Sequence, residues 1–171
     1  YDRHNVKNAL DPDVYMDQST LLVSLWPRVE KTYLNALGQV IAAVAYKADG
    51  QTVESTTVFL YDGTGTLISA SSYDGSAQIQ LSSGFVTGVS GLGRILRKEF
   101  FYQSGDIKGQ SIGRAEYDGD GVVISATVND YDASNNLIRS RLYRRVNAGA
   151  ASASSYASKA AFEAAFFVAG S

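Results

Sequence analysis

The sequence predicts a mainly β protein, an antiparallel meander that forms a sandwich or barrel. A recurring Tyr-Asp turn is the first reason. It reads Tyr61-Asp62-Gly63-Thr64-Gly65-Thr66-Leu67, then Tyr117-Asp118-Gly119-Asp120-Gly121-Val122-Val123, then more loosely Tyr131-Asp132-Ala133-Ser134-Asn135-Asn136-Leu137. Each copy ends one apolar run on an aromatic residue, turns tightly and opens another β-rich run. The second reason is the run of apolar and β-branched segments between such turns, about nine of them at a spacing of roughly 10 to 15 residues. The third is composition: eleven tyrosines and sixteen glycines stand against two prolines, which suits exposed strands joined by tight turns.

Residues 1–18 are polar and carry Asp2, Asp11, Asp13 and Asp17. They read as an N-terminal arm, with a turn at Asp11-Pro12. The β domain is expected over 19–146. Trp26 precedes Pro27, which biases it away from helical geometry. Val29, Tyr33, Ala36 and Leu37 recur at helical spacing before Gly38, which predicts a short N-terminal helix over 28–37. From Gln39 the period changes. Val40 to Tyr46 is apolar on both faces, and Ala48-Asp49-Gly50 turns it into the β-branched run Thr52 to Leu60. Strands follow over Thr66 to Tyr73, Ala77 to Ser82, Phe85 to Val89, Arg94 to Tyr102, Gln110 to Tyr117, Val122 to Tyr131 and Leu137 to Val146. Alternation nominates Val40, Val44, Val58, Leu60, Leu67, Ile79, Leu81, Ile95, Phe101, Ile124, Val128, Leu137 and Leu142 for the core. The Ala, Ser and Gly of 147–158 read as a linker. An Ala/Phe-rich C-terminal segment follows, with Phe162 and Phe166 on one face of a helix. Its phenylalanines, Phe162, Phe166 and Phe167, must be buried on their own domain or in a groove of a neighbour.

The Tyr-Asp turns resemble the YD repeats of RHS-type proteins, in which Tyr-Asp, two residues and Gly precede an apolar strand. Tyr61-Asp62 with Gly65 and Leu67 fits, as does Tyr117-Asp118 with Gly121 and Val123. Tyr131-Asp132 departs, with Asn135 in the glycine place, although Asn tolerates left-handed backbone. The resemblance implies a strand meander of surface-exposed or secreted character and no particular activity.

The residue types needed for most chemistry are scarce. With no cysteine there is no disulfide, thiolate metal site or Cys nucleophile. His4 is the single histidine and sits in the polar arm, and no Gly-x-Ser-x-Gly elbow is present. No cofactor is expected. Asp118 and Asp120, on a glycine-bent loop, are weak calcium candidates, because hard oxygen donors suit that ion. A hairpin turn explains the same two residues. Glu54, Glu99 and Glu116 fall on strands, where a facing pair could serve glycoside hydrolysis. Cross-strand pairing with Arg94, Arg97 or Lys98 is the plainer reading.

Arg139, Arg141, Tyr143 and Arg145 alternate onto one strand face. Such a stripe can attract single-stranded nucleic acid, but a net charge of −2 and the few cations on other strands disfavour it. A charged edge strand accounts for the same pattern. No apolar run approaches the roughly 20 residues a membrane-spanning helix needs.

The expectation is therefore a non-enzymatic structural or interaction protein, a subunit of an extracellular or virion assembly such as a surface, fibre or decoration component. Its partners would be copies of itself or other assembly subunits. Contacts are expected at Trp26, Tyr143, Arg139, Arg141, Arg145, Phe162, Phe166 and Phe167. A carbohydrate-binding module is the alternative, with Trp26, Tyr73, Tyr102 and Tyr143 stacking on a glycan. A β-barrel enzyme using the strand carboxylates is the third reading.

Overall fold

A computed structural model of the chain describes residues 30–144, 146, 147, 150 and 153–167. The N-terminal arm of 1–18, Trp26 and Arg145 lie outside the described residues. Among the described residues ten strands run β1 (Glu30–Leu34), β2 (Val40–Tyr46), β3 (Val53–Tyr61), β4 (Leu67–Asp74), β5 (Gln78–Ser82), β6 (Phe85–Ser90), β7 (Ile95–Phe101), β8 (Ser111–Tyr117), β9 (Val123–Tyr131) and β10 (Leu137–Tyr143), followed by helix α1 (Lys159–Phe166). Eight of them form one antiparallel sheet in the order β1-β2-β3-β4-β7-β8-β9-β10, and β5 and β6 form a separate ribbon that reaches β1. Of the two architectures left open by the sequence, the barrel is not formed. Among the described residues β1 and β10 each have one neighbour in the sheet, so the two sheets make an open, sandwich-type arrangement.

The expected N-terminal helix over 28–37 is corrected where it is described. Glu30–Leu34 is a strand paired with β2, and Asn35 to Gly38 is a turn. The helical spacing ran for barely two turns, too short to form without tertiary support. Pairing with β2 satisfies the same backbone groups, so the strand wins.

The turns share one geometry. The side-chain Oδ1 of Asp62 accepts from the N–H of Thr64 and Thr66 at 2.8 and 2.9 Å. Asp118 does so for Asp120 and Val122, and Asp132 for Ser134 and Asn136. Asn35 forms a fourth copy, accepting from Leu37 and Gln39 at 3.0 Å each. In each, the residue three places on takes a left-handed backbone: Gly38 (φ 78°), Gly65 (83°), Gly121 (75°) and Asn135 (65°). Asn135 thus adopts the conformation that glycine supplies elsewhere.

The sheet is a tandem repeat, with β1-β2-β3-β4 matched by β7-β8-β9-β10. Tyr33 pairs with Ala42 as Phe100 pairs with Gly113. Val44 pairs with Thr56 as Ala115 pairs with Ala126. Val58 pairs with Ser71 as Val128 pairs with Arg141. The bulges coincide too, leaving Ile41, Glu54 and Ile68 as extra residues in the first half and Ile112, Ile124 and Ile138 in the second. Two lateral bonds repeat as well. Tyr61 donates to the Val40 carbonyl at 3.0 Å, and Tyr131 to that of Ser111 at 2.9 Å. Gln39 donates to the Gly65 carbonyl, and Gln110 to that of Asn135.

One face of β7 to β10 carries the main core: Phe100, Ile112, Ala115, Val123, Ala126 and Val128, closed by Ala150, Tyr156, Phe162 and Phe166. Residues 147–158 were expected to be a linker, yet Ala150 and Tyr156 are buried in this core. Ser158 caps α1, its hydroxyl accepting from the Ala161 N–H. Gly113 lets the helix approach: a Cβ there would lie 2.2 Å from the Thr127 carbonyl oxygen and 3.2 Å from the Phe162 ring. Several nominated core residues are corrected. Leu60, Leu81, Ile124, Leu137 and Leu142 are exposed, while Phe100 and Val123 are buried. Ile124 is the extra residue of a bulge, so Val123 takes the core position, and Leu137 and Leu142 stand on the face opposite the one Arg141 shares with Val128.

Candidate interaction surface

β9, β10 and α1 bring together most of the nominated residues. Asp130 lies near the end of β9, almost fully buried, and three cations converge on it. Arg139 Nε donates to its Oδ2 at 2.8 Å. Arg141 donates from Nε and Nη2 at 3.0 and 3.1 Å. Lys159 Nζ lies 2.7 Å from Oδ1. Glu163, one turn along α1 from Lys159, accepts from Arg141 Nη2 at 2.6 Å. The lysine and the arginines hold the Asp130 carboxyl well below the usual carboxylate range. The same carboxylates push the Arg141 guanidinium up, Asp130 most. Register explains the convergence: Asp130 sits opposite Arg139 on β10, and Val128 opposite Arg141. The stripe Arg139, Arg141, Tyr143 therefore faces α1. Arg141 also donates to the Tyr143 hydroxyl at 2.6 Å.

The C-terminal aromatics pack on their own sheet. Phe162 and Phe166 are fully buried, edge-on to Phe100 at ring separations of 5.5 and 6.1 Å. Phe167 stacks on Tyr143 with centroids 3.8 Å apart. Of the two fates open to these rings, the intramolecular one is realised. Tyr102 stands edge-on to Tyr131, so Tyr102 and Tyr143 already have ring partners within the chain.

The opposite sheet face is polar. On β7 and β8, Arg97 lies opposite Glu116 and Glu99 opposite Arg114. Arg114 reaches Glu116 at 3.0 Å. Each of these two carboxylates has a guanidinium as cross-strand neighbour. Asp118 Oδ1 is engaged by the turn it closes. Among the described residues no group of three or more His, Asp or Glu side chains is placed to hold a metal ion. No helix among them is long and apolar enough to cross a membrane.

What sequence reasoning missed is the exposed apolar fringe of the outer hairpin. Ile124, Leu137, Ile138 and Leu142 are all exposed on β9 and β10. The signal lay in the Ile that follows Leu67 and Leu137 alike. It marks equivalent bulge positions, and the sheet order places the second on an edge strand.

No protein-family model matches the chain, and neither does any curated protein.

Proposed function

We propose that this chain is a non-enzymatic structural and interaction protein, a β scaffold that serves as a subunit of an extracellular or virion assembly. One observation carries the reading: two register-matched repeats end on an edge strand, β10, that is fringed with exposed apolar side chains. Edge strands of monomeric proteins are usually blunted against pairing. On β10 Arg139 and Arg141 pair with Asp130, and Arg141 also with Glu163 of α1, while Leu137, Ile138 and Leu142 stand at the surface. On the polar side of the sheet Arg114 pairs with Glu116, and Arg97 and Glu99 each stand opposite a charge of the other sign. The Tyr-Asp turns, with their resemblance to YD repeats, favour an exposed or secreted setting.

Light scattering across a concentration range tests the proposal. A mass that rises above that of one chain supports an assembling subunit. A mass fixed at one chain up to the highest soluble concentration contradicts it.

A further inference from the structure

We propose that the β10 edge docks the β1 edge of a second copy of this chain, continuing the sheet from molecule to molecule. The inference rests on the assembly reading above and names its contact.

The template lies inside the molecule. β4 closes the first repeat and pairs with β7, which opens the second. By register β10 is the counterpart of β4, and β1 is the counterpart of β7. Ser69, Ala70, Ser71 and Ser72 correspond to Arg139, Ser140, Arg141 and Leu142. Arg97, Lys98, Glu99 and Phe100 correspond to Glu30, Lys31, Thr32 and Tyr33. Both ends of the missing junction are therefore present on one chain, at opposite edges of the sheet.

Burial differs between the two equivalent strands. Ile68 and Ile138 hold the same bulge position on β4 and β10. Ile68, on an interior strand, is 9% exposed, whereas Ile138, on the edge, is 64% exposed. Among the described residues, a β7-like strand is the neighbour that β4 has and β10 lacks. The edge backbone supplies hydrogen bonds and the apolar fringe supplies burial, as in strand addition generally.

The β4–β7 register transfers directly. Ser69 opposite Phe100 and Ala70 opposite Glu99 place Arg139 opposite the second copy's Tyr33 and Ser140 opposite its Thr32. A guanidinium over a tyrosine ring is favourable. Arg141 falls opposite Lys31, and like charges across strands oppose pairing, but Asp130 and Glu163 already meet the Arg141 charge. The contact is heterologous, so it propagates into a ring or filament and does not stop at a dimer.

The chain has no cysteine, which permits a direct test. Ser140→Cys and Thr32→Cys proteins are made separately and oxidised alone or mixed. A disulfide-linked dimer formed from the mixture, and from neither protein alone, supports the proposal. A dimer from Ser140→Cys alone means that β10 pairs with itself and overturns it. Ile138→Lys and Leu142→Lys, at exposed positions, should each raise the concentration needed for assembly at least tenfold with unchanged circular dichroism. If the wild type assembles, no mixed disulfide forms and both lysine variants assemble normally, this contact is wrong while the assembly reading stands. If the wild type stays a single chain and no mixed disulfide forms, both fall.

Discussion

The hydroxyl of Tyr61 donates to the carbonyl oxygen of Val40 at 3.0 Å, tying the end of β3 to the start of β2. Tyr131 and Ser111 repeat that bond in the second half of the sheet, at 2.9 Å. The tyrosine of the turn motif is therefore more than a strand former, since its polar tip closes the sheet end that the aspartate turn opens. Tyr61→Phe and Tyr131→Phe each remove one such bond, although the Ser111 carbonyl still accepts from the Asn129 amide at 3.2 Å. Each is expected to lower stability by about 1 kcal/mol in urea unfolding. No loss in either variant would remove the lateral bond from the account.

Glycine matters in two different ways. Gly121 holds φ at 75°, and a Cβ there would meet nothing within 4 Å. Gly121→Ala should cost only the left-handed backbone term, about 1–2 kcal/mol, with α1 undisturbed. Gly113→Ala instead drives a methyl into the Thr127 carbonyl and the Phe162 ring. It should cost more and shift the near-UV circular dichroism of the aromatic cluster. Equal effects from the two variants would contradict the close approach of α1.

Asp130 is the hinge of the C-terminal packing. Asp130→Ala leaves Arg139, Arg141 and Lys159 converging on an empty place. The carboxylate is buried but its cations keep much of their exposure, Arg139 most, so the loss is about 1–3 kcal/mol. The expected result is undocking of α1, read as early protease cleavage after Lys159 or Phe166. Phe162→Ala should do the same through the cavity it leaves, at about 3–5 kcal/mol. Unchanged cleavage in both would show that α1 is not held on the sheet.

The pH dependence follows from the turns and the core. Hydrogen bonds from Thr52 and from the Gln51 and Thr52 N–H groups bring Asp49 down to about 2. The N–H of Thr66, first among several donors, lowers Asp62, and that of Asn136 lowers Asp132. A carboxylate more acidic folded than unfolded stabilises the fold fully above its unfolded value near 4. That contribution is lost as pH falls toward about 2, the folded value of Asp49. Burial pushes Tyr117 up to about 12. Its contribution is complete below its unfolded value of about 10 and is lost as pH rises toward 12. Thermal midpoints should thus form a plateau from about pH 5 to 9 and fall on both sides. A midpoint that rises on acidification would contradict the sign.

Much of the fold was legible because turn chemistry is local. Asp-x-x-Gly carries its own acceptor and its own left-handed residue, so the hairpins from Gln39 onward could be placed from sequence. The turn at Asn35 was hidden because Leu34 replaces the usual tyrosine and the flanking residues mimic helical spacing. Core faces were less legible. A bulge adds one residue without any marker in a two-residue period, which exchanged Phe101 for Phe100 and Ile124 for Val123. The surface was least legible. Arg139 and Arg141 looked like a free basic stripe, since their partners Asp130 and Glu163 come from β9 and from a helix more than twenty residues downstream of Arg141.

The whole account turns on two repeats sharing one sheet through β4 and β7. Amide hydrogen exchange at Ser69–Ser72 and Arg97–Phe100 tests that junction most directly. Protection there equal to that of β2, β3, β8 and β9, with faster exchange along the outer side of β10, is the expected result. Rapid exchange at both strands of the junction would mean two separate four-stranded units, and would contradict both the continuous sheet and the intermolecular contact that copies it.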